Sequence, residues 1–335
     1  MSELTVKLDH MSDDLFDGCW QRLDRAAEHR RAGTELWNEY LAPHPYGYTI
    51  IDYQDGTYVV RVTQDTPVPA ELGILIGEWL YNLRATLDHI IWATAAHVAG
   101  TIPPPKEHVL QYPIYDSEDA WTKNLYRLNG LADHHRQMLH QMQPCNSDVD
   151  ANYLGWVNRL ARDDRHRRPN AMTSYIADLR PVVGLPPGTR ATIQFGERII
   201  DGGSADCVRL TVRDWTPDMV VKLHPRFGID PEVLNWSPSP FWRRWNFTER
   251  LKMMEIFIAG EVAVYEYDCT GTSRKQDLLS DGYKAECDAR GHGTAPVPAP
   301  RGDIEWTEPE SGKPASAETM KEVGYPRGYE PDDQE

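Results

Sequence analysis

Arg84 and His89, five residues apart, offer the sharpest chemistry in this 335-residue chain. Arginine stays charged and presents a planar fork to a phosphate, while histidine titrates near neutrality and serves as base or acid. Cleaving RNA with its own 2′-OH needs a base for that proton, an acid for the leaving 5′-oxygen and positive charge at the transition state. One helix supplies one Arg and one His; two copies across a dimer axis would complete the set. At about 100° per residue, Glu78, Asn82 and His89 align within roughly 40°, and Arg84 and Asp88 stand about 100° to 140° from His89. Glu78, Asn82 and Asp88 are thus the candidate supporting residues. A structural role fits the same spacings: Arg84 and Asp88 as an i,i+4 ion pair, and Glu78, Asn82 and His89 as an inter-helix hydrogen-bond network.

A second group, Arg162, Arg165, His166 and Arg167, closes a helical stretch and could contact phosphate or RNA, although basic residues there also complement the helix dipole. Trp236, Phe241, Trp242, Arg243, Arg244 and Trp245 interleave aromatics with arginines as stacking platforms do; anchoring a sheet onto the last helix is the plainer use. His134, His135 and His140, with His89 and His166, raise the question of a metal. With no H-E-x-x-H and no regular ligand spacing, neither a metal nor a cofactor is expected. Five scattered cysteines without a C-x-x-C pair read as reduced thiols.

These residues need elements to hold them. Apolar positions recur at three- and four-residue steps from Ser12 to about Leu41, predicting a helix started by Ser12 or Asp13 and stopped at Pro43. A hairpin follows at 47–63, turning at Asp55-Gly56. Leu72, Leu75, Ile76, Trp79, Leu80, Leu83, Leu87, Ile90 and Ile91 form the stripe of a core helix from about Glu71 to Val98 that ends at Gly100. Shorter helices are expected at 117–128, 132–143 and 150–168. Alternating runs between Thr173 and Phe227 predict an antiparallel sheet. A last helix runs from Phe247, with Asn246 and Glu249 as its capping pair.

The predicted class is α+β: a mainly helical up-and-down bundle over 1–169, a β subdomain over 170–246, a bundle-completing helix over 247–268, and an acidic Pro/Gly-rich tail over 281–335. The tail carries 13 acids against six Lys or Arg and little apolar material, so disorder is expected for most of it. The net charge of −16 opposes indiscriminate adhesion to nucleic acid or anionic membrane. No apolar run approaches the roughly 18 to 20 residues that span a bilayer, and the N-terminus lacks the features of a signal peptide, so a cytoplasmic protein is expected.

Asn82-Leu83-Arg84-Ala85-Thr86-Leu87-Asp88-His89, then Tyr112-Pro113-Ile114 and Asp164-Arg165-His166-Arg167, resemble a group of uncharacterised bacterial proteins with N-L-R-x-x-L-D-H, F-P-I and D-K-H-R segments. Arg84 and His89 also resemble the Arg-x4-His motif of HEPN domains, helical bundles of which many are metal-independent RNases acting as dimers. That resemblance implies an RNA-acting homodimer that serves as a toxin with an antitoxin partner or as a defence factor. The alternative is a non-catalytic protein that binds a protein partner.

Overall fold

The computed structural model describes residues 6–7, 15–148, 151–166, 172–200, 202–234, 236 and 245–292. In chain order its elements are β1 (Val6–Lys7), α1 (Asp17–Leu41), β2 (Tyr46–Asp52), β3 (Thr57–Gln64), α2 (Ala70–Ala99), β4 (Thr101–Ile102), α3 (Glu118–Asn124), α4 (Asp133–Gln141) and α5 (Tyr153–His166). Then come β5 (Met172–Ala177), β6 (Val182–Gly184), β7 (Ala191–Phe195), β8 (Ile199–Ile200), β9 (Ser204–Val212), β10 (Lys222–His224), β11 (Gly228–Val233), α6 (Phe247–Thr270) and α7 (Asp281–Arg290). The fold is α+β, with antiparallel sheets. Among the described residues no helix is long and apolar enough to cross a membrane.

α2 is the axis of the helical half. Its stripe buries Ile76, Trp79, Leu80, Leu83, Leu87, Ile90 and Ile91 completely or nearly so, and α1, α5 and α6 all pack on it. Glu255 of α6 ties three helices together: it accepts from Arg30 Nε of α1 at 2.9 Å and from Trp79 Nε1 of α2 at 2.8 Å. α6 starts with the expected capping box between Asn246 and Glu249, which satisfies two otherwise orphaned amides. α2 ends where expected, at Gly100 in the left-handed region.

The hairpin joins the β subdomain rather than the helices. β3 pairs with β9 inside a four-stranded sheet ordered β2-β3-β9-β7. Pairing follows from pattern: Val60 lies opposite Val208 and Tyr58 opposite Leu210, so their apolar sides share one face. A second sheet is ordered β11-β5-β8, and the sequence pattern had not singled out β11. Pro231 explains why, since proline argues against a central strand, and β11 is an edge. Trp236 sits at the junction as an anchor, edge-on to Trp156 and Phe247 with the Arg250 guanidinium over its face.

The expectation of disorder from residue 281 is corrected at its start. Ser280 caps α7 through its hydroxyl, Gly291 closes it, and Cys287 is buried against the helical core. Composition averaged over the tail hid this one amphipathic ten-residue helix. Ser12, Asp13, Phe241 to Arg244 and the tail beyond 292 lie outside the described residues.

Two glycines give opposite predictions. Gly56 turns the hairpin at φ +87°, and a Cβ there would meet Trp215 Cβ at 2.7 Å, so Gly56→Ala is expected to lower the melting temperature. Gly260 lies within α6 with open space around it, so Gly260→Ala should stabilise by about 0.5–1 kcal/mol in thermal or urea unfolding.

Candidate functional site

The segment Tyr112–Tyr115 belongs to neither helix nor strand, so its backbone groups need other partners. Arg84, almost fully buried, donates from Nη2 to the Tyr112 carbonyl at 2.8 Å. Asp88, 3.0 Å from that guanidinium, accepts the Tyr112 N–H at 2.9 Å. Gln143 repeats the device, accepting from Tyr115 N at 2.9 Å and donating to the Pro113 carbonyl at 3.0 Å. The Arg-Leu-Asp part of the α2 motif thus clasps the Tyr-Pro-Ile segment, as a strand edge would.

His89 is not part of that clasp. It is exposed and stands on the α1 side, where a Cβ on Gly18 would lie 3.2 Å from its Nδ1. Asn82 also faces α1, accepting from Arg22 at 3.3 Å and donating to the Glu78 carbonyl at 2.8 Å. Glu78 is exposed. The structure therefore divides the predicted site: Arg84 and Asp88 meet the Tyr112 segment, while Asn82 and His89 meet α1. Periodicity put these directions about 100° to 140° apart, and different neighbours fill the two sides. Arg162 is exposed on α5, whereas the side chains of Arg165 and His166, and all of Arg167, lie outside the described residues.

A cavity of about 260 Å³ adjoins the clasp, lined by Arg84, Gln111, Tyr115, Asn124, Arg127 and Asn158 among others. Its described lining contains neither a carboxylate nor an imidazole. Arg162 follows Asn158 by one helical turn, on the same face of α5.

A second cluster lies among α4, α6 and α7. Asp268 Oδ2 is 2.8 Å from His134 Nε2 and 2.7 Å from His135 Nε2, and Oδ1 is 2.6 Å from Arg290 Nη2. All three of His134, His135 and Asp268 are buried. Burial alone would push the Asp268 carboxyl up; hydrogen bonds from His134, His135 and Arg290 outweigh it and hold the group well below the usual carboxylate range. Burial pulls the His135 imidazole down, against the pull of Asp268. The sequence had marked the two histidines but not their partners. A readable signal existed: Met254, Ile258, Glu261, Tyr265 and Asp268 continue one inward ladder of α6, so two acids occupy core steps.

Glu261 is the other inward acid. It accepts the Tyr112 hydroxyl at 2.6 Å, and burial pushes its carboxyl up to about 7 despite that bond. Comparison with protein-family models, curated proteins and solved structures finds no match to this chain.

Two predictions follow from these contacts. Arg84→Ala should destabilise by about 1–3 kcal/mol, because it strips a buried carbonyl of its donor, whereas His89→Ala should stay within about 0.5 kcal/mol in urea melts. Glu261 has a folded pKa raised from 4.5 to about 7, so its contribution is full below pH 4.5 and is lost as pH rises through about 7. Glu261→Gln is therefore expected to raise the melting temperature relative to wild type at pH 8 and to lose that advantage at pH 4.

Proposed function

We propose that this protein is a non-catalytic binding protein that takes a phosphate-bearing ligand, a nucleotide or the end of an RNA strand, into the cavity between Arg84 and Arg127. One observation carries the reading: this cavity sets the guanidinium of Arg127 and three side-chain amides beside buried Arg84, itself paired with Asp88, with no carboxylate among its described lining residues. Phosphate recognition calls for that combination, since guanidinium forks and amide N–H groups both donate to its oxygens. Tyr115 adds a ring at the wall, and exposed Arg162 extends the basic edge along α5 for a neighbouring phosphate.

A HEPN-like endoribonuclease using Arg84 and His89 makes a different demand, that both groups reach one scissile phosphate. The clasp of Arg84 onto Tyr112 and the position of His89 beside α1 favour holding over cutting. A role as toxin or defence factor, and a homodimer, would belong to the nuclease reading.

Titration of the full chain with mononucleotides and a labelled single-stranded RNA, read by calorimetry and anisotropy in EDTA, tests this. Arg127→Ala is expected to weaken binding by about tenfold or more, the value of one charge-assisted hydrogen bond. Wild type that binds neither probe, or Arg127→Ala that binds as well, sinks the proposal. RNA cleavage lost in His89→Ala would replace it with the nuclease.

A further inference from the structure

We propose that His134, His135 and Asp268 form a binding site for a divalent transition metal of the zinc class. Neighbouring residues on a helix point about 100° apart, yet here both imidazoles turn onto one carboxylate oxygen. Their rings lie 4.0 Å apart, and the three ligand atoms all fall within 4.8 Å of one another. Two imidazole nitrogens and a carboxylate oxygen converging at one point are a common zinc donor set. A metal seated between them at about 2.0–2.2 Å from each atom replaces the two direct hydrogen bonds and needs only a widening of about half an ångström.

Arg290 Nη2 holds Asp268 Oδ1 at 2.6 Å, on the side of the carboxylate away from the hydrogen bonds to the two histidines. Arg290 is thereby a positioning residue, orienting the carboxylate from its other oxygen as outer-shell partners do. Charge supports the assignment. Arg290 also pairs with Glu286 at 3.0 Å, so with neutral imidazoles these three side chains leave one net negative charge. A dication is therefore placed beside net negative charge. The site joins α4, α6 and α7, so the metal would act as a structural cross-link.

The test uses the full-length chain, stripped with a chelator and titrated with zinc alone against a chromophoric competitor. One zinc per chain is expected in wild type and in His140→Ala, a histidine of the same helix outside the cluster. His135→Ala and Asp268→Asn should lose affinity by more than the roughly 10–100-fold typical of outer-shell changes. Each variant is checked by circular dichroism, and the near-isosteric Asp268→Asn guards against loss of fold. Wild type that takes up no stoichiometric zinc, or zinc affinity unchanged in folded His135→Ala and Asp268→Asn, overturns the site.

Discussion

Enclosure of α2 is the constraint from which most of the helical half follows. On the faces covered by α1, α5, α6 and the Tyr112 segment, α2 can carry polar side chains only where each finds a partner. Thr86 and Thr94 turn back to carbonyls one turn earlier in the helix, at 2.9 and 2.8 Å. Asn82 divides itself between its own backbone and Arg22. Arg84, too long to fold back, reaches out and recruits the backbone of another segment. A dense polar motif on a core helix is in this sense what covering that helix requires.

Much of this was legible in the sequence. The three long helices were readable because their apolar stripes are uninterrupted and their ends carry Gly100 and the Asn246–Glu249 pair. The hairpin was readable from Asp55-Gly56. Its allegiance was not, because pairing of β3 with β9 joins residues some 150 positions apart, and alternation says which face is apolar without saying what lies alongside. At the candidate site, helical geometry gave the angle between Arg84 and His89, but only the neighbours decide that one side is a clasp and the other a helix contact. Asp268 and Arg290 were hidden for separate reasons: the first looked like one acid among many near a helix end, and the second sat in a stretch whose average composition spoke for disorder.

Tyr112 connects the two polar regions. Its backbone is gripped by Arg84 and Asp88, and its hydroxyl donates to Glu261, the first inward acid of α6. Seven residues on, Asp268 gathers His134, His135 and Arg290. The inner face of α6 thus carries polar groups through an otherwise apolar interior, from the cavity to α4 and α7. In both clusters a basic side chain pairs with an acid, Arg84 with Asp88 and Arg290 with Asp268, and in both the acid holds a second element in position.

The docking of α7 bears on how the polypeptide can be shortened. Anyone trimming the acidic terminus to improve crystals would choose residue 280 from composition, and would thereby remove Arg290 and leave a sealed carboxylate without its cation. A boundary set after His292 keeps that neutralising group, the Gly291 stop and the histidine whose ring packs edge-on against Tyr267.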